Sequence, residues 1–294
     1  MSIKHPIIAV TGSSGAGTST VKQSFDHIFR REKITPAVIE GDSMHKYDRA
    51  AMKKVIAEAE AAGTEHLPTH FGPDCNELAE LAGIFKSYGE SGRGKRRFYL
   101  HNEAEAAPYG QQPGTFTPWE DFPEQTDLLF YEGLHGSYVG EDADVIKHVD
   151  CAIGVVPVVN LEWIQKIHRD TEGRGYSVEA VTHTILRRMN DYVLHICPQF
   201  SRTHINFQRV PIVDTSNPFI SRDIPTLDES LVVIRFRDYH GVDFPYLLNM
   251  INNSFMSRPN SIVVPGGKMG LAMELVLTPI ILDMMEKSLK RAAK

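Results

Sequence analysis

The stretch "VTGSSGAGTST", residues 10–20, sets Gly12, Gly15 and Gly17 between an apolar run and a segment that reads as helix. Glycines so spaced let the backbone turn tightly and aim successive N–H groups at one point, where the positive end of the following helix adds its pull on an anion. Gly12, Ser13, Ser14, Gly15, Ala16, Gly17, Thr18, Ser19 and Thr20 are therefore candidate ligands of nucleotide phosphates, with the Ser19 hydroxyl at the position that meets magnesium in such loops. Thr18 stands where the lysine of a phosphate loop is expected. That lysine normally offsets charge on the transferring phosphoryl group, so a working enzyme must bring cations from another segment. An ordinary glycine-rich strand-to-helix turn is the structural alternative.

Two acids follow strand-like runs: Asp42 closes "AVIEGD" and Glu132 closes "LLFYEG". In open α/β sheets ligands gather at the carboxyl ends of strands. Asp42 is placed to take a proton from an acceptor hydroxyl, and Glu132 to orient magnesium directly or through water. Helix N-capping by Asp42 or Ser43, and simple solvation of Glu132, are the alternatives. After Asp42, His45, Arg49 and Lys53 recur every four residues, so a helix would show all three on one face beside the base. Such a stripe suits a phosphorylated second substrate, although a solvated charged face has the same spacing.

"NLEWIQKIHRDTEGRGYSVEAV" puts Lys166, Arg169 and Asp170 within about one turn of each other and then breaks at Gly173 and Gly175 around Arg174. The segment at about 161–176 is the expected lid, whose cations replace the absent loop lysine on closing. The other reading is a plain amphipathic helix with a glycine stop. Asp170 either pairs with its neighbouring arginine or helps to hold magnesium or the acceptor hydroxyl, which leaves the general base open between it and Asp42.

These residues need elements to hold them. Short apolar runs recur at "PIIAVTG", "AVIEGD", "DLLFYEG", "CAIGVVPVV", "RVPIVDTS", "LVVIRF" and "SIVV", the pattern of buried strands. A helix is expected from the glycine loop through Arg31, and another where Val178, Val181, Ile185, Met189 and Tyr192 share one face. Alternation of the two implies an α/β fold with a largely parallel sheet covered on both faces. One elaborated domain over 1–294 is expected, with a loop-rich insertion at about 64–122 rich in glycine, proline and charge. The apolar tail at 271–289, interrupted by Glu274, Pro279 and Asp283, reads as a packed helix.

Composition narrows the classes. The 294 residues are 42% hydrophobic, enough for a sizeable core. A net charge of -6, from 31 basic and 37 acidic residues, leaves no broad positive field for nucleic acid or an anionic membrane surface. Cys75, Cys151 and Cys197 lack CxxC spacing, which argues against disulfides or a zinc site and fits a reducing cytoplasm. Neither a signal-peptide pattern nor an apolar run of membrane-spanning length is present in the sequence.

In combination, "GSSGAGTST", "IEGDSMH", "FYEGLHG", "VVPVVNLEWIQKIHRD", "FQRVPIVDTSNPF" and "SIVVPG" resemble the proteobacterial (class I) phosphoribulokinases of the phosphoribulokinase/uridine kinase family, from the amino terminus almost to the carboxyl terminus. In that light Thr18 looks like a trait of the subgroup. The resemblance implies a P-loop kinase with a mixed, mostly parallel sheet flanked by helices, using ATP and Mg2+ to phosphorylate the 1-hydroxyl of ribulose 5-phosphate for the Calvin cycle. It implies Asp42 as general base, Glu132 and Asp170 as catalytic or metal-associated acids, and Lys166 and Arg169 as lid cations. His45, Arg49, Tyr99, His101, His135 and Arg174 would be sugar-phosphate contacts. A homo-oligomer, an octamer in this subgroup, is implied too. So are activation by NADH and inhibition by AMP through Arg31, Arg235 and Arg258, three arginines whose spacing by itself predicts no effector pocket. Ala16, where plant-type relatives carry a regulatory cysteine, removes thiol control of the loop. The competing readings are a uridine-kinase-like nucleoside kinase, which has no need of the basic stripe, and a catalytically silent nucleotide sensor, motivated by Thr18 alone.

Overall fold

The computed structural model describes residues 4–13, 18–173, 175–221 and 223–292, with the side chains of residues 18–20 and 292 left aside. Strand β1 (Ile7–Thr11) is apolar at nearly every position, and Ile7, Ile8, Ala9 and Val10 have no exposed surface. A run of that kind fits only a strand covered on both faces. β1 lies inside an eight-stranded sheet with β2 (Pro36–Glu40), β5 (Leu128–Gly133), β6 (Cys151–Val156), β7 (Ile205–Pro211), β8 (Ser230–Phe236), β9 (Phe255–Arg258) and β10 (Ser261–Pro265), in the order β2-β5-β1-β6-β7-β8-β10-β9. The first five are parallel neighbours, and β8, β10 and β9 add antiparallel pairs. The sheet is therefore mixed and mostly parallel. Strands β3 (Lys95–Arg96) and β4 (Glu120–Asp121) form a separate two-stranded piece.

Alternation along the strands sorts the core into two layers. Ile8, Val10, Leu128 and Phe130 meet helix α1 (Thr18–Glu32) and helix α8 (Met269–Ala292) on one face. Ile7, Ala9, Leu129 and Tyr131 meet helix α3 (Leu78–Ser91) on the other. In α1, Val21, Phe25, Ile28 and Phe29 recur at helical spacing and are buried; the Phe25 ring lies 4.7 Å from that of Phe130. Removing such a ring costs about 3–5 kcal/mol. This packing fixes the start of α1 at Thr18, seven residues beyond Thr11, where β1 ends. The tail is a packed helix, as its apolar residues predict, and α8 runs through Pro279. Among the described residues no helix is long and apolar enough to cross a membrane.

The structure departs from the sequence-based expectations at two places, the basic stripe and the start of β7. His45, Arg49 and Lys53 do not share a helix face: residues 41–44 form one 3₁₀ turn, His45 is extended, and helix α2 (Arg49–Ala61) starts at Arg49. The physical reason is Asp48, whose side chain accepts the Ala51 N–H at 2.7 Å and caps α2 there, so neither Asp42 nor Ser43 is a helix cap and Lys53 points to solvent. Within the 64–122 stretch, Leu78, Leu81, Ile84, Phe85 and Tyr88 bury one side of α3 before Gly92 ends it at φ 70°. Irregular chain surrounds that helix, broken by β3, β4 and the short helix α4 (Glu103–Ala106). Finally, β7 begins at Ile205, ahead of "RVPIVDTS", because it pairs with β6 from Ile153↔Ile205 onward, and Ile212 and Val213 are left exposed.

Candidate active site

Strands β2, β5 and β1 end on the same edge of the sheet, and the register Glu40↔Glu132 and Val10↔Glu132 sets their last residues level. Gly12 donates its N–H to the Gly133 carbonyl at 3.0 Å. Beside it Gly41 and Gly133 meet so closely that a Cβ on Gly133 would lie 2.5 Å from the Gly41 Cα and 2.6 Å from the Tyr131 hydroxyl. Two glycines are what let the turn carrying Asp42 cross the end of β5. Here opens a cleft of about 1170 Å³ lined by Gly12, Asp42, His45, Glu132, Lys166 and Arg169, among others. Ser14, Gly15, Ala16 and Gly17 lie outside the described residues, as do the side chains of Thr18, Ser19 and Thr20, whose backbone begins α1.

On the acceptor side, Asp42 sits half-exposed on the 3₁₀ turn with its carboxylate oxygens 3.6 Å from His45 Nε2 and 3.8 Å from His101 Nε2. Arg97 holds this turn, donating from Nε to the Ser43 carbonyl and from Nη2 to the His45 carbonyl, both at 2.8 Å, while its guanidinium stacks on Phe116 and Trp119. Arg49 donates to the His101 carbonyl at 3.0 Å and also meets the Tyr99 hydroxyl. Tyr99 packs edge-on against His101 and His45, and burial pushes its phenol up. Burial, reinforced by His135, Arg188, His101 and Arg97, drives the His45 imidazole down to about 3, so it is neutral near pH 7. Of the predicted substrate contacts, His45, Arg49, Tyr99 and His101 line the cleft. His135 lies behind it, 2% exposed, with Nε2 3.2 Å from both Asn76 Nδ2 and the His70 carbonyl; Arg174 falls outside the described residues.

The facing wall comes from helices α5 (Val159–Glu172) and α6 (Val178–Asp191). The Lys166 ammonium lies 2.5 Å from Asp170 Oδ2, and Arg169 Nε donates to Asp170 Oδ1 at 3.0 Å. Burial pulls the Asp170 carboxyl up, but the two cations together outweigh it and hold it below its ordinary value. For Lys166 the balance reverses: burial and the nearby Arg188 outweigh the pairing with Asp170 and bring the amine down to about 8. Asp170 thus stands behind the two cations and binds them into one unit. From α6, Arg188 reaches the same cleft; burial and Arg187 lower it to about 10, and its Nε is sealed from water without a hydrogen-bond partner. Glu162, one turn before Lys166, accepts a hydrogen bond from Ser13 Oγ and another, at 3.4 Å, from the Tyr192 hydroxyl. Burial raises its carboxyl in spite of those bonds.

His70, Arg97, Glu162 and Arg188 are the site residues that spacing alone misses. Arg188 leaves a signal, since it lies three residues after Ile185 and seven after Val181, on the apolar side of its helix. Glu162 leaves none beyond its place in "NLEWIQKIHRD". The effector candidates are not gathered into one place. Arg235 on β8 and Arg258 on β9 both stand opposite Ser261 of the strand between them, whereas Arg31 ends α1, bonded to Glu32, Glu274 and Thr278. For a metal, Glu132 supplies one carboxylate in the cleft. A single cleft carboxylate is compatible with magnesium, which takes few protein ligands and completes its shell with phosphate oxygens and water.

A glycine turn leaving a central parallel strand, acids at the neighbouring strand ends and cations presented across the cleft by a helix pair place the chain among the phosphate-loop kinases. More particularly, the family model "Phosphoribulokinase / Uridine kinase family" matches residues 7–216, and the chain belongs to that family. It is 63% identical over 294 residues, all of both chains, to the chromosomal phosphoribulokinase of Cupriavidus necator. Over 281 residues, 96% of this chain and 97% of the relative, it is 61% identical to phosphoribulokinase 1 of Cereibacter sphaeroides. Among solved structures, the phosphoribulokinase from Rhodobacter spheroides superposes with a TM-score of 0.89 at 56% identity, covering 98% of this chain and 99% of that one.

Proposed function

We propose that the chain transfers the γ-phosphoryl group of ATP in line to the 1-hydroxyl of ribulose 5-phosphate, giving the ribulose 1,5-bisphosphate used for carbon dioxide fixation in the Calvin cycle. The observation that carries this reading is the placement of the Asp42 carboxylate in a cleft whose wall carries imidazole, phenol and guanidinium groups. Its half-exposed carboxylate lies between His45 and His101, next to Arg49 and Tyr99, and shares its cleft with Lys166 and Arg169. Asp42 takes the proton of the attacking hydroxyl. His45, Tyr99 and His101 bind the sugar, and Arg49 binds its phosphate, a group that a nucleoside acceptor lacks. The backbone after Gly12 and the start of α1 hold the nucleotide's phosphates. Lys166 and Arg169 neutralise the charge that builds on the transferring group, the task of the lysine that Thr18 displaces. Glu132, with the Ser19 hydroxyl, would hold magnesium, which when bound shields the phosphate oxygens. Asp170 keeps the lid cations together, which favours Asp42 as the base.

The same reading includes a cytoplasmic homo-octamer activated by NADH and inhibited by AMP through Arg31, Arg235 and Arg258, all on the strength of the family resemblance. The test is product formation from ATP and magnesium with ribulose 5-phosphate or uridine, with and without NADH, for the wild type, Asp42→Asn and Arg235→Ala. Transfer to ribulose 5-phosphate alone is expected, with kcat lowered about 10²–10⁴-fold in Asp42→Asn at little change in the KM for ATP. Transfer to uridine, or ATP binding without any transfer, would sink the reading. Unchanged NADH activation and basal activity in Arg235→Ala would remove the effector role.

A further inference from the structure

Three imidazoles crowd the acceptor wall, and each has one ring nitrogen sealed from water with no hydrogen-bond partner: His45 Nε2, His70 Nδ1 and His135 Nδ1. His70 comes from the irregular chain between α2 and α3, where an ordered side chain has to be tied down by other means. It is tied on two sides. Asn76 Nδ2 donates to the His70 carbonyl at 2.9 Å and to the Gly72 carbonyl at 2.7 Å, and Asn76 itself forms an isolated antiparallel bridge with His45. On the other side Thr69 Oγ1 donates to Asp191 at the end of α6 at 2.6 Å. So fastened, the His70 ring lies flat on the His45 ring, with centroids 3.8 Å apart and an angle of 14° between planes.

The His45 ring has little else to hold it. Its backbone is extended, the Asp42 carboxylate stands 3.6 Å away, beyond hydrogen-bond range, and Tyr99 meets it edge-on with centroids 6.2 Å apart. We infer that His70 is a positioning residue for the acceptor: by covering one face of His45 it fixes that imidazole beside Asp42 and keeps water from it, in the orientation that binds the sugar phosphate. This rests on the reading of the cleft as a sugar-phosphate kinase site. The charges around His45 include Asp42 against Arg97, Arg188, His101 and His135, and those facing His70 include Asp42, Arg187 and Arg188. A dry stack keeps both rings neutral. Without the cover, water reaches His45, its proton affinity climbs toward the ordinary imidazole value of about 6.5, and the imidazolium formed at lower pH pairs with Asp42 and blunts it as a base.

The experiment measures kcat and the KM for ribulose 5-phosphate and for ATP from pH 5.5 to 8.5 in the wild type, His70→Ala and His70→Phe, with thermal unfolding of each. His70→Ala is expected to raise the KM for ribulose 5-phosphate about tenfold, to leave the KM for ATP unchanged and to add an acid limb to kcat/KM near pH 6.5. The wild type, with His45 held down to about 3, has no such limb in that range. His70→Phe keeps a flat ring on His45 and should restore a KM within about threefold of wild type and abolish the limb. Wild-type behaviour of His70→Ala overturns the inference. So does failure of His70→Phe to restore either parameter, or loss that strikes both KM values and kcat alike, since general damage would do that. The wild-type control tests the parent reading separately: if it does not phosphorylate ribulose 5-phosphate, the proposed function falls first and this inference with it.

Discussion

On one wall of the cleft Asp42 and Glu132 follow strands locked in parallel register, so the backbone of the sheet places them. Across from them Lys166 and Arg169 hang from α5 and Arg188 from α6, and side chains place these cations: one shared carboxylate at Asp170, and the Glu162 carboxyl reaching to Ser13. The helix pair has a small core of its own, Ile167, Val181 and Ile185 with Trp163 and Phe219, apart from the two layers against the sheet. Elements packed on a separate small cluster are the ones that shift as a unit at low cost. The division suits phosphoryl transfer, in which a base must be fixed relative to the acceptor while the cations must arrive and leave with the nucleotide.

The largest effect expected from breaking this arrangement is Lys166→Met, which removes a cation from the helix wall without touching the sheet. Loss of one preorganised positive group facing the transferring phosphoryl lowers kcat about 10²–10³-fold. The KM for the acceptor should hold, because Asp42, His45 and Arg49 are on the other wall. Steady-state kinetics decide it, and a kcat within threefold of wild type would mean that the cations of α5 do not serve the reaction.

The fixed wall should break differently, through stability. In Gly133→Ala the new Cβ would lie 2.5 Å from the Gly41 Cα, backbone against backbone, and neither strand end can yield without disturbing the register. A cost of about 1–3 kcal/mol follows, seen as a fall of several degrees in Tm. On the other wall, Gly173→Ala meets only the Arg169 carbonyl of its own helix end, at 2.9 Å with φ -90°, and should shift Tm less. Equal shifts in the two variants would erase the contrast between the walls.

That contrast also governs what can be read from the sequence. Strand-end acids are legible because a short apolar run ending in an acid is a local pattern, and the sheet converts it into a shared edge; Asp42 and Glu132 both line the cleft as that logic requires. Lys166, Arg169 and Asp170 are legible as one helical turn. The stripe His45, Arg49, Lys53 is misread because periodicity cannot tell which residue caps a helix, and Asp48 starts α2 after His45. His45 and Arg49 still reach the cleft, by way of the loops that Arg97 and Gly114 hold. His70, Arg97 and Glu162 escape notice for a different reason. Their partners lie 25 to 149 residues away, a separation no local pattern encodes: Ser43 and His45 for Arg97, His45 for His70, and Ser13 for Glu162.

The smallest effect sharpens the comparison through pH. Burial and Arg188 bring the Lys166 amine down to about 8, so in the free enzyme it loses its charge as pH rises through that value, far below the ordinary lysine range. Only the protonated amine can neutralise phosphate charge. The kcat/KM for ATP, which reports the free enzyme, should therefore be level below pH 8 and decline toward tenfold per unit above it. In Lys166→Arg the guanidinium remains charged throughout, so the alkaline limb should vanish even if geometry lowers the plateau a few-fold. A limb that survived Lys166→Arg would have to be sought in another group, outside the cations of the helix wall. The arginine variant thus separates charge on the helix wall from position on the strand-end wall.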